Sequence, residues 1–525
     1  MSEEAPQPPA EATELPRQAY LPLLAATLVI AVSGLVYELI AGTVSSYLLG
    51  DSVTQFSLVI GLFMTAMGLG AWLSRYVRRL EAAFVGVQVA LGLVGGFSAP
   101  LLFFAFVAID NYQAFLFLVC IVVGSLVGLE IPLVVRILQR QRALAVNISN
   151  ILTADYLGAL VAALLFPLVL VPQLGLMAAS LVFGLLNLAV AGLGAWLFRG
   201  TVARGTWTLL ALAIVATATA LALTDRLVGL LESRFYDSEI LYAEDTAYQR
   251  LVLTTNGTHT QLYLNGGLQF DTIDEYRYHE ALVHPAMTLA PRRAQVLILG
   301  GGDGMAAREV LRYADVVAVT LVDLDPAMTA LFRDRPDLAA LNGGALADPR
   351  VSVLNRDAWD FVRAEPGLFD VVIVDLPDPH TLAVSKLYSI EFYADLAGRL
   401  AADGVLVTQA SSPLYAREAF WCVHDTLAAA PNPYAAPEAG ETLATRPYHA
   451  YVPSFGEWGF VIAGARLRSG AHAPLPAGLR FLTAESLPRL FDFPPDMAPV
   501  PVEPNSILDH TLVQYYEQGW QDWFQ

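Results

Sequence analysis

Two cysteines in 525 residues, Cys120 and Cys422, leave no basis for a disulfide framework or a zinc site. The eight histidines are scattered, so no metal-ligating cluster is expected. Charge is scarce too, at 15% of residues, and basic residues are the smaller share, with 30 Lys and Arg against 49 Asp and Glu. A nucleic-acid partner needs a basic face, and a net charge of -19 excludes that class. A cationic ligand suits the acidic balance, although net charge steers only weakly. Apolar residues fill the place that charge leaves, at 55% with a mean hydropathy of +0.51, too apolar for a wholly soluble chain.

The apolar excess lies at the front. Residues 1–16 are rich in Pro, Ala and Glu and are expected to be disordered. Residues 17–226 then read as about seven apolar runs, each near the ~20 residues that a spanning helix needs. They begin near Tyr20, Thr54, Ala82, Tyr112, Asn150, Gly175 and Trp207. The first run is too long for a cleaved signal peptide and has no small-residue cleavage site. The expectation is a multi-pass helical domain in a cell membrane, of bacterial inner-membrane type, with the lipid bilayer as its partner. Arg75, Arg78 and Arg79, then Arg136, Arg140 and Arg142, then Arg199 and Arg204 follow the second, fourth and sixth runs. The alternate loops, near Asp51, Asp110 and Gln173, hold no Lys or Arg, so the Arg loops are assigned to the cytoplasm. Seven spans then put everything after Thr224 outside; six, without the short run from Trp207, put it inside. Glu38, Glu130 and Asp155 lie in or beside apolar runs, where ionisable groups are expensive. They suit a cation passage, or equally helix-end acids paired with Arg136 or with polar neighbours. The glycines of "GLGAWL" and "GSLVG" suit close helix packing.

From about Asp225 the composition becomes that of a soluble domain. Over 236–290, "YQRLVLTT" and "QLYLNGGLQF" alternate like strands around turn residues, which predicts a small β-hairpin element. Over 291–470, "AQVLILGGGDGMAAREVLRY" reads as strand, glycine loop and helix. "VVAVTLVDLDP", "VSVLNRDAWDFV", "FDVVIVDLPDP", "GVLVTQASSP" and "EWGFVIAGA" supply further strands. Strands alternating with helices predict an α/β Rossmann-like domain with a parallel, doubly wound sheet. Residues 471–525 are Pro-rich at first and end in the aromatic "YYEQGWQDWFQ", read as a packing tail.

The chemistry gathers at the predicted strand ends. Gly300, Gly301, Gly302 and Gly304 follow a buried strand and open a helix, where backbone must approach a ligand closely. About twenty residues on, Asp323 ends the next strand and suits ribose hydroxyls. Asp357, followed by Ala358, ends the third and suits an adenine amino group. Asp303, inside the glycine loop, would repel a pyrophosphate or an α-carboxylate and welcome an amino group. An adenosine with a cationic tail therefore fits better than a dinucleotide. Asp375 and Asp378 flank Leu376-Pro377 after the fourth strand. A helix cap plus a loop acid would be the bland explanation of that pair.

"GGGDGMAAREV", "VDLDP", "RDAWDF" and "VDLPDP", preceded by "LNGGLQFDTIDEYRYHEALVHP", resemble the polyamine aminopropyltransferases, the spermidine synthase family. The resemblance runs roughly from Ala247 to Gly464. With the apolar spans and "PYHAYVPSFGEWGF", it points to the membrane-attached bacterial members. It implies a class I methyltransferase-like fold and no tightly bound cofactor. The implied co-substrate is decarboxylated S-adenosylmethionine, with a polyamine such as putrescine as acceptor, giving spermidine and methylthioadenosine. Gln249, Gly301, Asp303, Asp323, Asp357 and Ala358 would hold the donor. Gln269, His279, Glu280 and Asp378 would serve the acceptor, the first three beside the donor as well, and Asp375 would be the catalytic base. A cation passage at Glu38, Glu130 and Asp155 would then be one for a polyamine. Three departures fall on the amine side: "HTLAVSKLYS" after the second acid, Leu376-Pro377 where the family commonly has Ser-Ser, and Phe455 in place of an acceptor tyrosine. A methyltransferase on the same fold, or a membrane polyamine transporter or sensor with a non-catalytic domain, are the alternatives. A homo-oligomer is compatible with the sequence.

Overall fold

The computed structural model describes residues 20–524 apart from 50–51, 110, 140–143, 237, 365–366, 437–439, 468–469 and 471. The expectations for residues 1–16, Asp51, Asp110, Arg140 and Arg142 lie outside these residues. The chain forms two compact units, Met1–Asp237 and Ser238–Gln525.

Among the described residues of the first unit, six helices are long and apolar enough to cross a membrane. They are Tyr20–Leu49, Thr54–Tyr76, Leu80–Phe106, Tyr112–Leu138, Leu144–Leu197 and Arg204–Ala222. Six and not seven are counted because the runs from Asn150 and Gly175 share one helical stretch of 54 residues. Gly175, at φ 70 and ψ 171, breaks it. The expected small-residue packing is present: a Cβ on Gly70 would sit 2.0 Å from Ser125 O, and one on Gly128 2.0 Å from Met67 O. Among the described residues, Arg136 pairs with backbone carbonyls. Its guanidinium donates to Ser74 O (2.6 Å) and Val77 O (3.0 Å), closing the end of a neighbouring helix. Glu130 is buried and accepts from Gln88 Nε2.

The second unit opens with β1 (Glu239–Asp245), β2 (Arg250–Thr255), β3 (Thr260–Leu264) and β4 (Gly267–Asp271), an antiparallel sheet in sequence order. Helix Glu275–Leu289 then leads to the main sheet. Its strands are β5 (Gln295–Gly300), β6 (Ala318–Asp323), β7 (Val351–Asn355), β8 (Phe369–Asp375), β9 (Leu400–Gln409), β10 (Ala444–Val452) and β11 (Gly456–Gly464). They lie in the order β10-β11-β9-β8-β5-β6-β7. The five strands from β7 to β9 are parallel. The expected parallel sheet therefore gains an antiparallel hairpin, β10–β11, on its β9 edge. The turn between β10 and β11 is far too short for a parallel crossover.

Both faces of the sheet are covered, which explains strands that are apolar throughout. Val296 and Ile298 of β5 join one core with Val371 and Ile373 of β8. Leu297 and Leu299 join the other with Val372 and Val374. The chain winds from β5 out through β6 to β7, then returns to place β8 on the other side of β5. Ligands bind in sheets of this kind at that reversal, beyond the carboxyl ends of the strands. Gly300 pairs with Asp375 there, so the glycine loop and the first acid emerge side by side.

Candidate active site

The glycine loop is shaped by the strand beside it. Gly300 has φ 82, and a Cβ there would lie 2.0 Å from Asp375 O, a position that excludes any side chain. Gly301 N–H donates to that same carbonyl at 3.1 Å. Asp303 is buried, with Oδ1 accepting from Met305 N–H at 2.8 Å, across the Gly304 that caps the start of the short helix. At the end of β6, Asp323 accepts from Gly302 N–H (3.0 Å) and Asp325 N–H (2.9 Å). Burial pushes the Asp323 carboxyl up to about 6. Gln249 Nε2 donates to Asp325 Oδ2 at 3.0 Å, which sets Gln249 beside the β6 end. Asp357 accepts from Trp359 N–H at 2.7 Å, just ahead of the helix that begins at the buried Ala358. Its other oxygen is 3.2 Å from Lys386 Nζ, a partner that sequence reasoning missed.

At the end of β8 the two acids take different neighbours. Tyr278 Oη donates to Asp375 Oδ1 at 2.8 Å. Burial pushes the Asp375 carboxyl up to about 6; the charge of nearby His279 opposes this and Asp303 adds to it. Burial alone would lower His279, but Glu275, whose carboxylate is 2.8 Å from His279 Nδ1, lifts it to about 9. Glu275 is itself held at about 2: burial opposes the shift, and His279 and Arg308 outweigh it. Asp378 accepts from Tyr516 Oη at 2.9 Å and from Gln409 Nε2 at 3.3 Å. Burial raises it to about 6 against those two hydrogen bonds. Gln409 also donates to Tyr388 Oη (2.6 Å), which donates to the Pro377 carbonyl (3.1 Å) and so braces the backbone between the acids. Asp303, His279 and Asp375 thus interact as one electrostatic group next to Asp378.

Two expected acceptor residues are engaged elsewhere. Glu280 is buried, and its oxygens accept from the backbone N–H groups of Arg480, Phe481 and Leu482 at 2.7–2.9 Å. It anchors the segment after β11, which takes up three of its roughly four lone-pair positions. Its neighbour His279 does face the acids, because adjacent helical residues point about 100° apart. Gln269 Nε2 donates to Gly267 O of its own strand at 3.2 Å. Phe455 packs edge-on against Tyr278, with ring centroids 5.9 Å apart. Sequence reasoning missed Tyr278, Tyr388, Gln409 and Tyr516. All four lie in stretches quoted above, but only Tyr278 stands beside a residue already singled out, His279. Among the described residues no group of three or more His, Cys, Asp or Glu is arranged to hold a metal ion.

Residues 275–465 match the family model described as the spermine/spermidine synthase domain. The chain is 43% identical over 503 residues to a polyamine aminopropyltransferase of Leptospira interrogans, covering 95% of this chain and 98% of that one. It is 46% identical over 512 residues to polyamine aminopropyltransferase 2 of Ralstonia nicotianae, again covering 95% and 98%. Among solved structures, a spermidine synthase in complex with the transition-state analogue AdoDATO is similar at 26% identity. That match spans 49% of this chain and 85% of the other, with a TM-score of 0.43.

Proposed function

The chain belongs to the polyamine aminopropyltransferases, a family of transferases, and from that premise we propose that it moves an aminopropyl group from decarboxylated S-adenosylmethionine to a polyamine acceptor such as putrescine, with spermidine and methylthioadenosine as products. The observation that carries this reading is the pairing of Gly300 with Asp375 at the reversal of strand order. It sets an acid in the glycine loop, Asp303, within electrostatic reach of a second acid whose carboxyl burial holds near 6.

In this reading Asp303 pairs with the donor's propylamine nitrogen, Asp323 takes the ribose, and Asp357 with Ala358 frames the adenine. Lys386 must then give up Asp357 or share it. Gln249 supports the donor through Asp325, and Gly301 lets the loop approach it. Asp378 and the charged His279 order the amine end, one by attracting an ammonium and the other by orienting Asp375. The donor's sulfonium already makes its propyl carbon electrophilic. The acceptor is the problem, because an aliphatic ammonium with a pKa near ~10.4 has no lone pair to attack with. Asp375 takes one proton from it. The freed nitrogen attacks the propyl carbon, the C–N bond forms, and the C–S bond breaks with its electron pair going to sulfur. Methylthioadenosine leaves as a neutral thioether. A general base of this kind contributes ~10²–10⁴-fold.

The helical unit is proposed to sit in the bilayer with seven crossings. A 54-residue helix would be ~81 Å long against a ~30 Å hydrocarbon core, so the stretch broken at Gly175 counts twice. Product analysis tests the proposal. Purified protein given decarboxylated S-adenosylmethionine and a panel of diamines and polyamines should release methylthioadenosine and an aminopropylated amine in equal amounts. Methylated product from ordinary S-adenosylmethionine would instead mark a methyltransferase. Amine flux into vesicles without any product would mark a transporter.

A further inference from the structure

The aromatic tail does more than pack. Its helix, Thr511–Phe524, is seated by a close approach at Gly519, where a Cβ would lie 2.6 Å from Ala416 Cα and 2.9 Å from Tyr415 O. Tyr415 packs against Trp520 and Trp523, with centroids 5.4 and 5.3 Å away. Just before the helix, the buried Asn505 donates from Nδ2 to Ser385 O and Tyr388 O, both at 3.1 Å. Asn505 O in turn accepts from Ile390 N–H at 3.0 Å. The tail is thereby fastened to the segment that braces Leu376-Pro377. From this seat Tyr516 delivers its hydroxyl to Asp378 Oδ2 at 2.9 Å.

That bond is the better of the two that Asp378 receives from side chains. Gln409 reaches Oδ1 only at 3.3 Å and divides its amide among Asp378, the Leu376 carbonyl and Tyr388. Burial, with the adjacent carboxylate, holds the Tyr516 phenol well above its usual range, so it remains a donor at any working pH. A carboxylate has about four lone-pair positions, so one fixed donor leaves room for an ammonium while setting the direction it must come from.

We infer that the C-terminal helix completes the amine site, and that Tyr516 is a positioning residue that holds Asp378 ionised and turned toward a primary ammonium of the acceptor. The inference rests on the amine site proposed above. It makes the tail a determinant of amine selectivity, and Tyr516 acts through Asp378 without contacting the reacting atoms.

Calorimetric binding of putrescine to the full-length protein across pH, in the presence of methylthioadenosine, tests it. Tyr516→Phe should weaken amine binding by roughly three- to ten-fold, the range for one lost hydrogen bond. It should also move the acid limb of binding to higher pH, because the lost bond favoured the charged carboxylate. Methylthioadenosine affinity should not change. Tyr515→Phe is the control: it removes a hydroxyl that meets Glu503 N–H at 3.4 Å on the same helix. Unchanged amine affinity and acid limb in Tyr516→Phe would overturn the inference, as would an equal loss in Tyr515→Phe, which would make the effect one of helix seating. Absence of amine binding by the parent protein would instead remove the proposed site, and this inference with it.

Discussion

At the ends of β5, β6 and β7 the polar groups are held close to home. Asp303 is fixed by Met305, two residues on, and Asp357 by Trp359, again two residues on. Asp323 is fixed by Gly302 and Asp325, at the ends of paired neighbouring strands. At the end of β8 the arrangement is different. Asp375 is held by Tyr278, 97 positions away in the chain, and Asp378 by Tyr516, 138 positions away. The proposed donor end is therefore built mainly from loop backbone and near neighbours, with Lys386 and Gln249 as the side chains that reach it from farther off, and the proposed amine end from side chains borrowed across the fold. Substitution of Asp378 should leave the donor end nearly intact, since sites without shared partners behave almost independently, whereas Asp375 is coupled to Asp303 through charge.

The largest expected effect breaks the chemistry without touching the donor end. Asp375→Asn keeps the size of the side chain but cannot carry away a proton, so turnover should fall by ~10²–10⁴-fold. Methylthioadenosine affinity should be nearly unchanged, and higher pH should restore part of the rate by supplying free amine. Full turnover in this variant would place the base elsewhere.

Next comes Asp303→Asn. Losing a charge-assisted hydrogen bond should weaken the decarboxylated donor by ~1–3 kcal/mol, and ordinary S-adenosylmethionine should be repelled less. An unchanged affinity ratio between the two would remove Asp303 from the donor's tail.

The pH dependence sharpens the comparison further. In the proposed mechanism Asp375 and Asp378 act ionised, and both sit near 6, so kcat/KM should fall as pH drops through about 6. Tyr278→Phe removes a bond that favours ionised Asp375, and should move this limb to higher pH. A limb that stays near 4 in the parent would contradict the assignment.

The smallest effect is on stability. His279, raised from 6.5 to about 9, contributes stability that is fully present below 6.5 and lost as pH rises through 9. Glu275, lowered from 4.5 to about 2, contributes stability that is present above 4.5 and lost as pH falls through 2. Glu275→Gln should therefore shorten the plateau of Tm against pH from its alkaline side, as His279 returns toward its ordinary range. An unaltered alkaline edge would show that Glu275 does not hold the His279 proton.

The same division decides what could be read from the sequence. Gly300, Asp303, Asp323 and Asp357 stand at fixed distances from apolar runs of strand length, so the Rossmann-like sheet and its strand ends were legible. The β10–β11 hairpin was only half legible, because Pro447 inside β10 reads as a strand breaker and is tolerated there only at a sheet edge. Glu280 was expected as a ligand from the family resemblance of its motif. Its real partners lie 200 to 202 positions away, beyond the reach of any local pattern. Tyr516 sat in a stretch whose aromatic content equally suits a packing helix, and nothing in its neighbours points to Asp378. Local chemistry leaves a local trace, and side chains borrowed across the fold leave little or none.

The separation of the two ends is tested most directly by measuring two affinities on one variant, Asp378→Asn. Removing this carboxylate should weaken putrescine binding by more than ten-fold, since a hydrogen-bonded charge pair is worth ~1.5–3 kcal/mol, and leave methylthioadenosine binding within about two-fold of the parent. Equal weakening of both ligands, or a loss confined to methylthioadenosine, would contradict the account.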